Sequence, residues 1–481
     1  MKTSSTARTA LLVDFGSTFT KVVAVDLLEG KVLGTARAAT TVGTDILEGL
    51  SAAVESLAVQ TGLSGYDVRL ACSSAAGGLR MAAVGLVPQL TAEAAKQAAL
   101  SAGARITGVY SYELGREDLT DLERSRPDIV LLTGGTDGGN RTALLHNARA
   151  LASLSQPFPV VVAGNRAAGE EAVAILRESG KDARPCANVM PRLDRLDIEP
   201  AREAIRMVFL ERIVLARGFT GASRLMDDIV APTPAAVLDA VRLLSLGTEE
   251  EPGIGDLLLL DIGGATTDVH SATDGFPSRG GAIPKGLPEP FAKRTVEGDL
   301  GVRYSAGSVA EAFGANRLAV RTGLPEGVLA GVLERFESEV DVLAEGNPVL
   351  LRIDQSLAEV AALLAVDRHA GRYERVFTPL GPQDLLHGKD LSAVRTVIGT
   401  GGPVIGAADP RAVLACALAG APGGDPEALR PLQADFLLDR RYLMAAMGLL
   451  GRIRPTLAVR LMKRELVALP RGNASNEGDA P

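Results

Sequence analysis

The sequence predicts an α/β protein of two lobes with an inserted parallel α/β domain. Aromatic residues make up 4% of the 481 residues and Trp is absent, although 46% of the chain is hydrophobic. A core of this composition is filled by Ala, Val and Leu, which is typical of helices packed on mostly parallel strands. Two further observations favour the same class. A pattern of an apolar strand, an aspartate and a glycine turn occurs twice, and the segment 112–191 is predicted to alternate helices with strands. At roughly 100–200 residues per domain, the length predicts two to four domains.

The charge balance and the cysteines exclude several classes of protein. The chain has 50 Lys and Arg against 58 Asp and Glu, a net charge of −8, which lacks the basic footprint of a nucleic-acid-binding protein. Cys72, Cys186 and Cys416 are too far apart in sequence to indicate a disulfide framework or a metal cluster. No stretch approaches the ~20 apolar residues that a membrane helix requires. We therefore expect a cytoplasmic protein that binds neither nucleic acid nor membranes.

The first lobe begins with a predicted antiparallel meander. Its three β-rich runs, separated by Gly-bearing turns, are Leu11–Phe15, Lys21–Leu27 and Lys31–Arg37. A helix, a strand, a helix and a strand follow, predicted at Asp45–Thr61, Asp67–Cys72, Thr91–Ala102 and Arg105–Ser111. This order places the N-terminal part of the first lobe at residues 1–111.

An inserted α/β domain is predicted at residues 112–195. Its helices are expected at Arg116–Arg124, Arg141–Ser153 and Ala167–Ser179, and its strands at Asp128–Leu132, Pro159–Ala163 and Asp182–Asn188. Strands separated by helices indicate a small parallel sheet. Residues 196–250 form a helical return and linker, with a helix at Pro200–Arg217. The acidic segment Glu249–Gly255 is the best candidate for a boundary.

The second lobe is predicted at residues 251–434. Its strands are expected at Asp256–Ile262, Val269–Ala272 and Val394–Ile398, and its helices at Ser308–Thr322, Glu326–Glu337 and Leu357–Arg368. Residues 435–470 form a C-terminal helical segment, with a long helix over Asp439–Leu469. A break is expected at Pro455 because proline removes a helix hydrogen bond. The polar residues 471–481 are expected to form a disordered tail.

The first chemical motif is a hairpin at the start of the chain. It reads Leu11-Leu12-Val13-Asp14-Phe15-Gly16-Ser17-Thr18-Phe19-Thr20-Lys21. A strand ends in the carboxylate of Asp14, and the turn at Gly16 would direct backbone N–H groups and the hydroxyls of Ser17, Thr18 and Thr20 toward an anion. Asp14 is suited to hold Mg²⁺ through water. A plain hairpin with a polar turn is the alternative interpretation of this run taken alone.

The same pattern opens the second lobe. It reads Leu257-Leu258-Leu259-Leu260-Asp261-Ile262-Gly263-Gly264-Ala265-Thr266-Thr267-Asp268-Val269. Two copies of one pattern, each opening half of the chain, are poorly explained by chance. The pattern therefore predicts a second phosphate turn, in which Asp261 ends the strand and the turn residues that bind are Gly263, Gly264, Thr266 and Thr267.

A third motif is a strand that ends in a Gly-rich turn, Val397-Ile398-Gly399-Thr400-Gly401-Gly402-Pro403-Val404. Without a Cβ atom at Gly399, Gly401 and Gly402, the backbone can lie flat against a planar group such as adenine. A single Gly-rich turn is weak evidence, and its position after the two phosphate turns is what gives it weight.

Together the three motifs resemble the phosphate-1, phosphate-2 and adenosine motifs of the actin-like ATPase superfamily. This superfamily has a two-lobed, ribonuclease H-like fold and includes actin, sugar kinases and the large heat-shock chaperones. The strand order expected for Leu11 to Ser111 is similar as well. The resemblance implies that ATP lies between the lobes and that Mg²⁺ is held near Asp14 and Asp261. It also implies that Asp268 orients the attacking water or a metal-bound water.

Three further features of this resemblance have two interpretations each. Glu297 and Asp299 lie where actin-like ATPases carry residues that face the γ-phosphate, or they are solvated charges near the start of a helix. Lys21 either contacts phosphate or is an exposed lysine of a strand. The turn Gly134–Gly139 either binds an anion or a partner, or is a tight loop.

Several segments narrow the resemblance to one family. They are Pro127–Asn140, Asp261–Ser271, Thr295–Ser305 and Asp439–Gly448. They look like the glutamate mutase accessory family called GlmL or MutL, which is unrelated to the mismatch-repair protein of that name, and the likeness covers nearly the whole chain. The resemblance implies ATP and Mg²⁺ as cofactors and the subunits of an adenosylcobalamin-dependent mutase as partners.

The sequence leaves three functions to be separated. The leading hypothesis is an ATP-driven chaperone or reactivating protein of such a mutase, with slow ATPase activity. A small-molecule kinase of the same superfamily is the first alternative, although no clear sugar-kinase substrate motif is present. The second is a scaffold or filament protein that binds nucleotide without turnover. The oligomeric state stays open, with a homodimer among the candidates.

Overall fold

The computed structural model describes residues 7–16, 18–41, 46–74, 79–193, 195–215, 228–340, 342, 346–379 and 381–470. The chain forms two compact units. Unit 1 comprises Met1–Gly253, Lys285–Arg294 and Leu443–Met462, and unit 2 comprises Ile254–Pro284, Thr295–Tyr442 and Lys463–Pro481. The first passage from unit 1 to unit 2 lies inside the segment Glu249–Gly255. The expected tail at 471–481 lies outside the described residues.

The strands of the described residues are numbered in chain order. They are β1 (Thr9–Phe15), β2 (Phe19–Asp26), β3 (Lys31–Ala39), β4 (Val68–Ser73), β5 (Leu79–Gly85), β6 (Ala104–Ser111), β7 (Ile129–Leu132), β8 (Val160–Val162), β9 (Ala183–Pro185), β10 (Asp228–Pro232), β11 (Leu257–Ile262), β12 (Thr267–Ala272), β13 (Ile283–Pro284), β14 (Ala292–Glu297), β15 (Arg372–Thr378), β16 (Gly381–His387), β17 (Thr396–Thr400), β18 (Asp435–Leu438) and β19 (Val467–Leu469).

The helices of the described residues are numbered in the same way. They are α1 (Ile46–Thr61), α2 (Glu93–Ser101), α3 (Arg116–Ser125), α4 (Thr142–Ala152), α5 (Arg166–Glu178), α6 (Glu199–Leu215), α7 (Thr233–Leu246), α8 (Ala306–Phe313), α9 (Ala315–Thr322), α10 (Glu326–Ser338), α11 (Pro348–His369), α12 (Gly402–Ile405), α13 (Pro410–Ala415), α14 (Met444–Gly451) and α15 (Pro455–Glu465). A π-helical turn, Pro88–Ala92, precedes α2. None of these helices is both long enough and apolar enough to span a membrane.

Five strands of unit 1 form its first sheet, in the order β10-β4-β1-β2-β3. The antiparallel meander β1-β2-β3 is the one expected from the sequence. Strand β4 runs parallel to β1, and β10 runs parallel to β4. The carboxyl ends of these three strands therefore lie at one edge, where Phe15, Ser73 and Pro232 share one row of the sheet.

The strand expected at Arg105–Ser111 in the first lobe lies in a different sheet from the meander. It is β6, an edge strand of the second sheet of unit 1, whose order is β6-β5-β7-β8-β9 and whose strands are all parallel. The missing strand of the first sheet is β10, from the segment 196–250 that was expected to be a helical return. Strand β5 was not predicted from the sequence, because a short and mostly buried run without alternation has no distinctive period.

The main sheet of unit 2 repeats the strand order of the first sheet. Its order is β14-β12-β11-β17-β18-β19. Strand β11 is antiparallel to β12 and parallel to β17, which is parallel to β18. Apart from the added edge strand β19, each strand has a counterpart in the first sheet, with β11 corresponding to β1. The α/β fold is therefore built on a duplicated sheet, as the actin-like, ribonuclease H-like resemblance implies.

Close packing of small and aliphatic side chains holds each unit together. In unit 2 the core surrounds α11, whose Ile353, Leu357 and Val360 are fully buried. In unit 1 helix α14 lies directly against α7. A Cβ atom on Gly448 would come within 1.9 Å of the carbonyl oxygen of Ala236, so only glycine permits this approach.

Two helix predictions for the second half of the chain are wrong in detail. The single helix predicted at Ser308–Thr322 is two helices, because Gly314 adopts a φ of 97° between α8 and α9. The long helix predicted at Asp439–Leu469 is broken at Pro455, as expected, but its final apolar residues form β19 and pair with β18. In the first half, the predicted helix ends Asp45 and Arg217 lie outside the described residues.

Candidate functional site

The hairpin between β1 and β2 forms a tight turn in unit 1. Asp14 pairs with Lys21 across the two strands, and Phe15 pairs with Thr20. The N–H of Gly16 donates to the carbonyl oxygen of Phe19 at 3.1 Å. A Cβ atom on Gly16 would lie 2.6 Å from that oxygen, so the turn requires glycine.

Asp14 is a buried carboxylate with donors at both oxygens. Its Oδ1 accepts a hydrogen bond of 2.6 Å from the Thr233 hydroxyl, and the Cys72 thiol lies 3.6 Å from the same oxygen. Its Oδ2 lies 3.4 Å from Lys21 Nζ. Burial, followed by the negative charge of Asp14, raises the pKa of the Cys72 thiol well above its ordinary value. Cys72 therefore stays a neutral S–H donor.

The predicted hydroxyls of this turn differ in what they can reach. Thr18 is exposed on the turn. Thr20 is fully buried and shares a hydrogen bond of 3.1 Å with Thr40. Ser17 lies outside the described residues. Thr18 is thus placed for a ligand, whereas the Thr20 hydroxyl is used to fix β2.

In unit 2, Asp261 and Asp268 face each other across the second hairpin. They are directly paired residues of β11 and β12, and Thr400 of β17 is the partner of Asp261 on the other side. The Thr266 hydroxyl donates to Asp268 Oδ2 at 3.2 Å. Two carboxylates are therefore brought together at the carboxyl end of the central strand, where the sequence predicted them.

The turn of this hairpin has the form of an anion cradle. It closes through a hydrogen bond of 2.9 Å from the N–H of Gly263 to the carbonyl oxygen of Thr266. Within the described part of the chain, the N–H groups of Gly264 and Ala265 have no hydrogen-bond acceptor. Consecutive N–H groups on an open turn suit an anion such as phosphate. The Thr267 hydroxyl instead donates to the carbonyl oxygen of Leu300 at 2.7 Å and is fully buried.

The three glycines of the third motif have different reasons to be glycine. A Cβ atom on Gly399 would lie 2.8 Å from the side chains of Leu414 and Val404. Gly401 has a φ of 92°, and its Cβ atom would lie 2.1 Å from the carbonyl oxygen of Ile262. Glycine is therefore required at positions 399 and 401, because a side chain there would collide with the neighbouring atoms. Gly402 is exposed, and a Cβ atom there would meet the Tyr442 hydroxyl at an ordinary contact distance of 3.7 Å, so of the three it is the one placed to admit a ligand.

Glu297 lies at the end of β14 in an ion-pair network. Its Oε2 is 2.8 Å from Nη1 of Arg368, which also binds both oxygens of Asp299 at 2.7 and 2.8 Å. Burial raises the pKa of Glu297, the Arg368 guanidinium opposes this rise, and the charges of Asp299 and Asp268 add to it. Glu297 is thus close enough to Asp268 to interact with it electrostatically.

The described residues offer Mg²⁺ single carboxylates and no complete protein cage. No group of three or more His, Cys, Asp or Glu side chains in the described ranges is arranged to hold a metal ion. Mg²⁺ usually keeps several waters and binds one or two carboxylates together with substrate phosphates. Asp14 in unit 1 and Asp261 in unit 2 fit that requirement as separate ligands.

The turn Gly134–Gly139 follows β7 and is held by two buried asparagines. Asn165 accepts a hydrogen bond from the N–H of Gly138 and donates to the carbonyl oxygen of Gly139, at 3.1 and 3.0 Å. Asn188 donates to the carbonyl oxygen of Gly135 at 3.0 Å. These contacts account for the loop as a tight structural turn.

Sequence reasoning missed the side chains that support the predicted carboxylates. Thr233 contacts Asp14 from the start of α7, and Arg368 contacts Glu297 from the end of α11. Asp439 accepts a hydrogen bond of 3.2 Å from Thr400, beside Asp261. Each comes from a distant part of the chain. Asp439 opens the segment Asp439–Gly448 noted above, whereas no local motif distinguishes Thr233 or Arg368.

Comparison with known proteins assigns the chain to a protein family. Residues 10–466 match the family model described as "MutL protein". A curated relative, "Protein MutL" from Clostridium tetanomorphum, is 46% identical over 461 residues, covering 95% of this chain and 99% of the relative.

Solved structures resemble the chain only weakly. Gluconate kinase from Lactobacillus acidophilus has 11% identity and a TM-score of 0.33, with 97% of this chain and 93% of that chain covered. Xylulose kinase from Bifidobacterium adolescentis has 14% identity and a TM-score of 0.32, with 97% and 96% covered. At these values the likeness carries no conclusion about a ligand.

Proposed function

We propose that this chain, which belongs to the MutL protein family, is an ATP-binding and ATP-hydrolysing accessory protein of an adenosylcobalamin-dependent mutase. Glutamate mutase and the aminomutases are the client class that the family resemblance suggests. The proposed role is that of a chaperone or reactivating protein, in which ATP turnover drives a change in the client.

One observation carries the nucleotide part of this proposal. Two sheets with the same strand order each carry an aspartate as the penultimate residue of their central strand, followed by a glycine turn, at Asp14 in unit 1 and Asp261 in unit 2. Duplicated hairpins of this kind are what the phosphate-1 and phosphate-2 resemblance requires. A plain polar hairpin gives no reason for the repetition at the same place in both sheets.

The residues present fit a phosphate group and a hydrated cation. In unit 2, the N–H groups of Gly264 and Ala265 are proposed to bind phosphate oxygens, and in unit 1 the Thr18 hydroxyl is proposed to do the same. Asp14 and Asp261 are proposed to hold Mg²⁺ through its waters. When bound, Mg²⁺ neutralises the negative charge that phosphoryl transfer develops.

The side chains of unit 2 provide the groups that water attack needs. Asp268 is held by the Thr266 hydroxyl and is the proposed acceptor that orients water. Glu297 is the second candidate, because burial raises its pKa toward the range in which a carboxylate accepts a proton at neutral pH. Arg368 fixes its carboxylate in one place.

Phosphate release from the purified chain with Mg²⁺-ATP tests the proposal. It is measured alone, with EDTA, and with an adenosylcobalamin-dependent mutase that has been inactivated by turnover. We expect slow release that requires Mg²⁺ and is stimulated by the inactivated mutase, together with recovery of mutase activity. Recovery that needs no ATP, or no recovery with any mutase of this class, contradicts the accessory role.

The same experiment separates the two alternatives. ATP-dependent phosphorylation of a metabolite, in place of release of free phosphate, identifies a kinase. Nucleotide-dependent pelleting of the chain without turnover identifies a filament or scaffold protein.

A further inference from the structure

The position of Asp14 depends on a residue far away in sequence. Strands β1, β4 and β10 are parallel neighbours whose carboxyl ends form one edge of the first sheet. Thr233 is the residue immediately after β10 and the first of α7. The sheet therefore carries the Thr233 hydroxyl to the edge at which Asp14, the penultimate residue of β1, also lies.

The contact between these two residues is short and specific. Thr233 Oγ1 lies 2.6 Å from Asp14 Oδ1, within the range of a hydrogen bond from a hydroxyl to a carboxylate. A threonine hydroxyl has a single proton to donate. The Cys72 sulfur is 3.7 Å from the same hydroxyl, a much longer contact, so the Thr233 proton goes to Asp14.

The donor is also restrained before any ligand arrives. Thr233 stands between Pro232 and Pro234, whose rings fix their own backbone φ angles. Its β-branched side chain has few χ1 choices. The hydroxyl is therefore held toward Asp14 at little further entropic cost, and Oδ2 of the carboxylate is left to face Lys21.

Unit 2 places a polar side chain at the corresponding position. Asp439 follows β18 directly, as Thr233 follows β10, and accepts a hydrogen bond from Thr400, the β17 residue paired with Asp261. The residue after this strand thus contacts the aspartate itself in unit 1, and in unit 2 it contacts the residue paired with the aspartate.

We propose that Thr233 is the positioning residue for Asp14, fixing its carboxylate in the orientation that receives the hydrated Mg²⁺ of the bound nucleotide. Thr233 acts through Asp14 and makes no contact with nucleotide itself. The inference rests on the proposed function, since it assigns Asp14 to Mg²⁺.

The variants separate the hydroxyl from the shape of the side chain. T233V removes the hydroxyl at nearly constant volume, and T233S restores it. T107V is the matched control in the same unit, because the Thr107 hydroxyl donates to the carbonyl oxygen of Met81, away from the first sheet. T233A replaces T233V if the latter does not give folded protein.

The readout is the binding of a non-hydrolysable ATP analogue by calorimetry, with saturating Mg²⁺ and with EDTA. We expect T233V to lose about 10- to 100-fold of the Mg²⁺-dependent gain in affinity, which is the range for a hydrogen bond to a charged group. Affinity in EDTA should stay as in the wild type, and T233S and T107V should behave like the wild type.

Two results overturn the inference, and a third overturns its premise. If T233V keeps the full Mg²⁺-dependent gain, or if T233S fails as T233V does, the hydroxyl does not position Asp14. If the wild-type chain binds no nucleotide under either condition, the proposed function itself fails.

Discussion

Arg368 Nη1 lies 2.8 Å from Glu297 Oε2, and this ion pair opposes the effect of burial on the glutamate. Burial raises the pKa of Glu297 because a charged carboxylate is poorly solvated there, and the guanidinium lowers it again by favouring the charged form. The net result is a carboxyl group with a raised pKa, held in one orientation. Both properties suit a group that handles a proton at neutral pH.

Replacing Glu297 should change how stability depends on pH. The folded chain holds the Glu297 proton more tightly than the unfolded chain, whose glutamate has its ordinary pKa of 4.5. This contribution is fully present below pH 4.5 and is lost as the pH rises through the raised pKa. Urea denaturation of the wild type and E297Q should therefore show the wild type losing stability relative to E297Q as the pH rises above 4.5. The exposed E178Q serves as control, and a constant difference between wild type and E297Q contradicts the assignment.

Removing Arg368 should move the acid limb of the activity profile. In R368Q, burial and the charges of Asp299 and Asp268 act on Glu297 without opposition, so its pKa rises further. The pH–rate profile of ATP hydrolysis should shift to higher pH on its acidic side. R368K keeps the positive charge but loses the two-pronged geometry, so a smaller shift is expected. An unchanged acid limb in R368Q shows that Glu297 takes no proton in the rate-limiting step.

Local features of the fold were predictable from sequence, and long-range ones were not. The meander and both hairpin turns are encoded locally, because short β-rich runs and the Gly-bearing turns between them leave a readable pattern. The pairing of Arg368 with Glu297 joins residues 71 positions apart and leaves no such pattern.

The exchange of β6 for β10 in the first sheet has the same origin. Arg105–Ser111 and Asp228–Pro232 are both short runs of strand type, and only tertiary pairing decides which of them lies beside β4. The support of Asp14 by Thr233 follows from that pairing. Local motifs therefore predict the candidate site residues but not the distant residues that support them.

Two neighbouring glycines should respond differently to alanine. In G401A the new Cβ atom is placed 2.1 Å from the carbonyl oxygen of Ile262 at a φ of 92°, so the melting temperature should fall by several degrees. In G402A the side chain makes only an ordinary contact of 3.7 Å with the Tyr442 hydroxyl, so stability should be kept while the KM for ATP rises. Thermal denaturation and steady-state kinetics check both. A normal KM in folded G402A places the adenosine group elsewhere.

The buried ion pair between Arg430 and Asp367 should be costly to break from one side. Arg430 is 1% exposed, and its Nε lies 3.2 Å from Asp367 Oδ1. R430M leaves a buried carboxylate without its cation and should cost about 3–5 kcal/mol of stability. Denaturant midpoints measure this cost, and the double variant R430M/D367L should recover most of it because no charge remains buried. A double variant no more stable than R430M shows that the loss comes from packing.

The aspartates that end the two central strands should be essential for turnover and dispensable for folding. Each stands at the edge of a sheet whose strands are held by backbone pairing, so D14N and D261N keep the shape and the hydrogen-bonding size of the side chain while removing its charge. If the carboxylates hold the hydrated cation, phosphate release should fall by at least about 100-fold in each, as for loss of one charge-stabilising group. The circular dichroism spectrum should stay unchanged.

The matched control is D274N, which changes an exposed aspartate beyond the far end of β12 and should retain wild-type turnover. Full activity in either D14N or D261N removes that unit's turn from the nucleotide site, whereas a shared loss in D274N points to a general effect of the substitution.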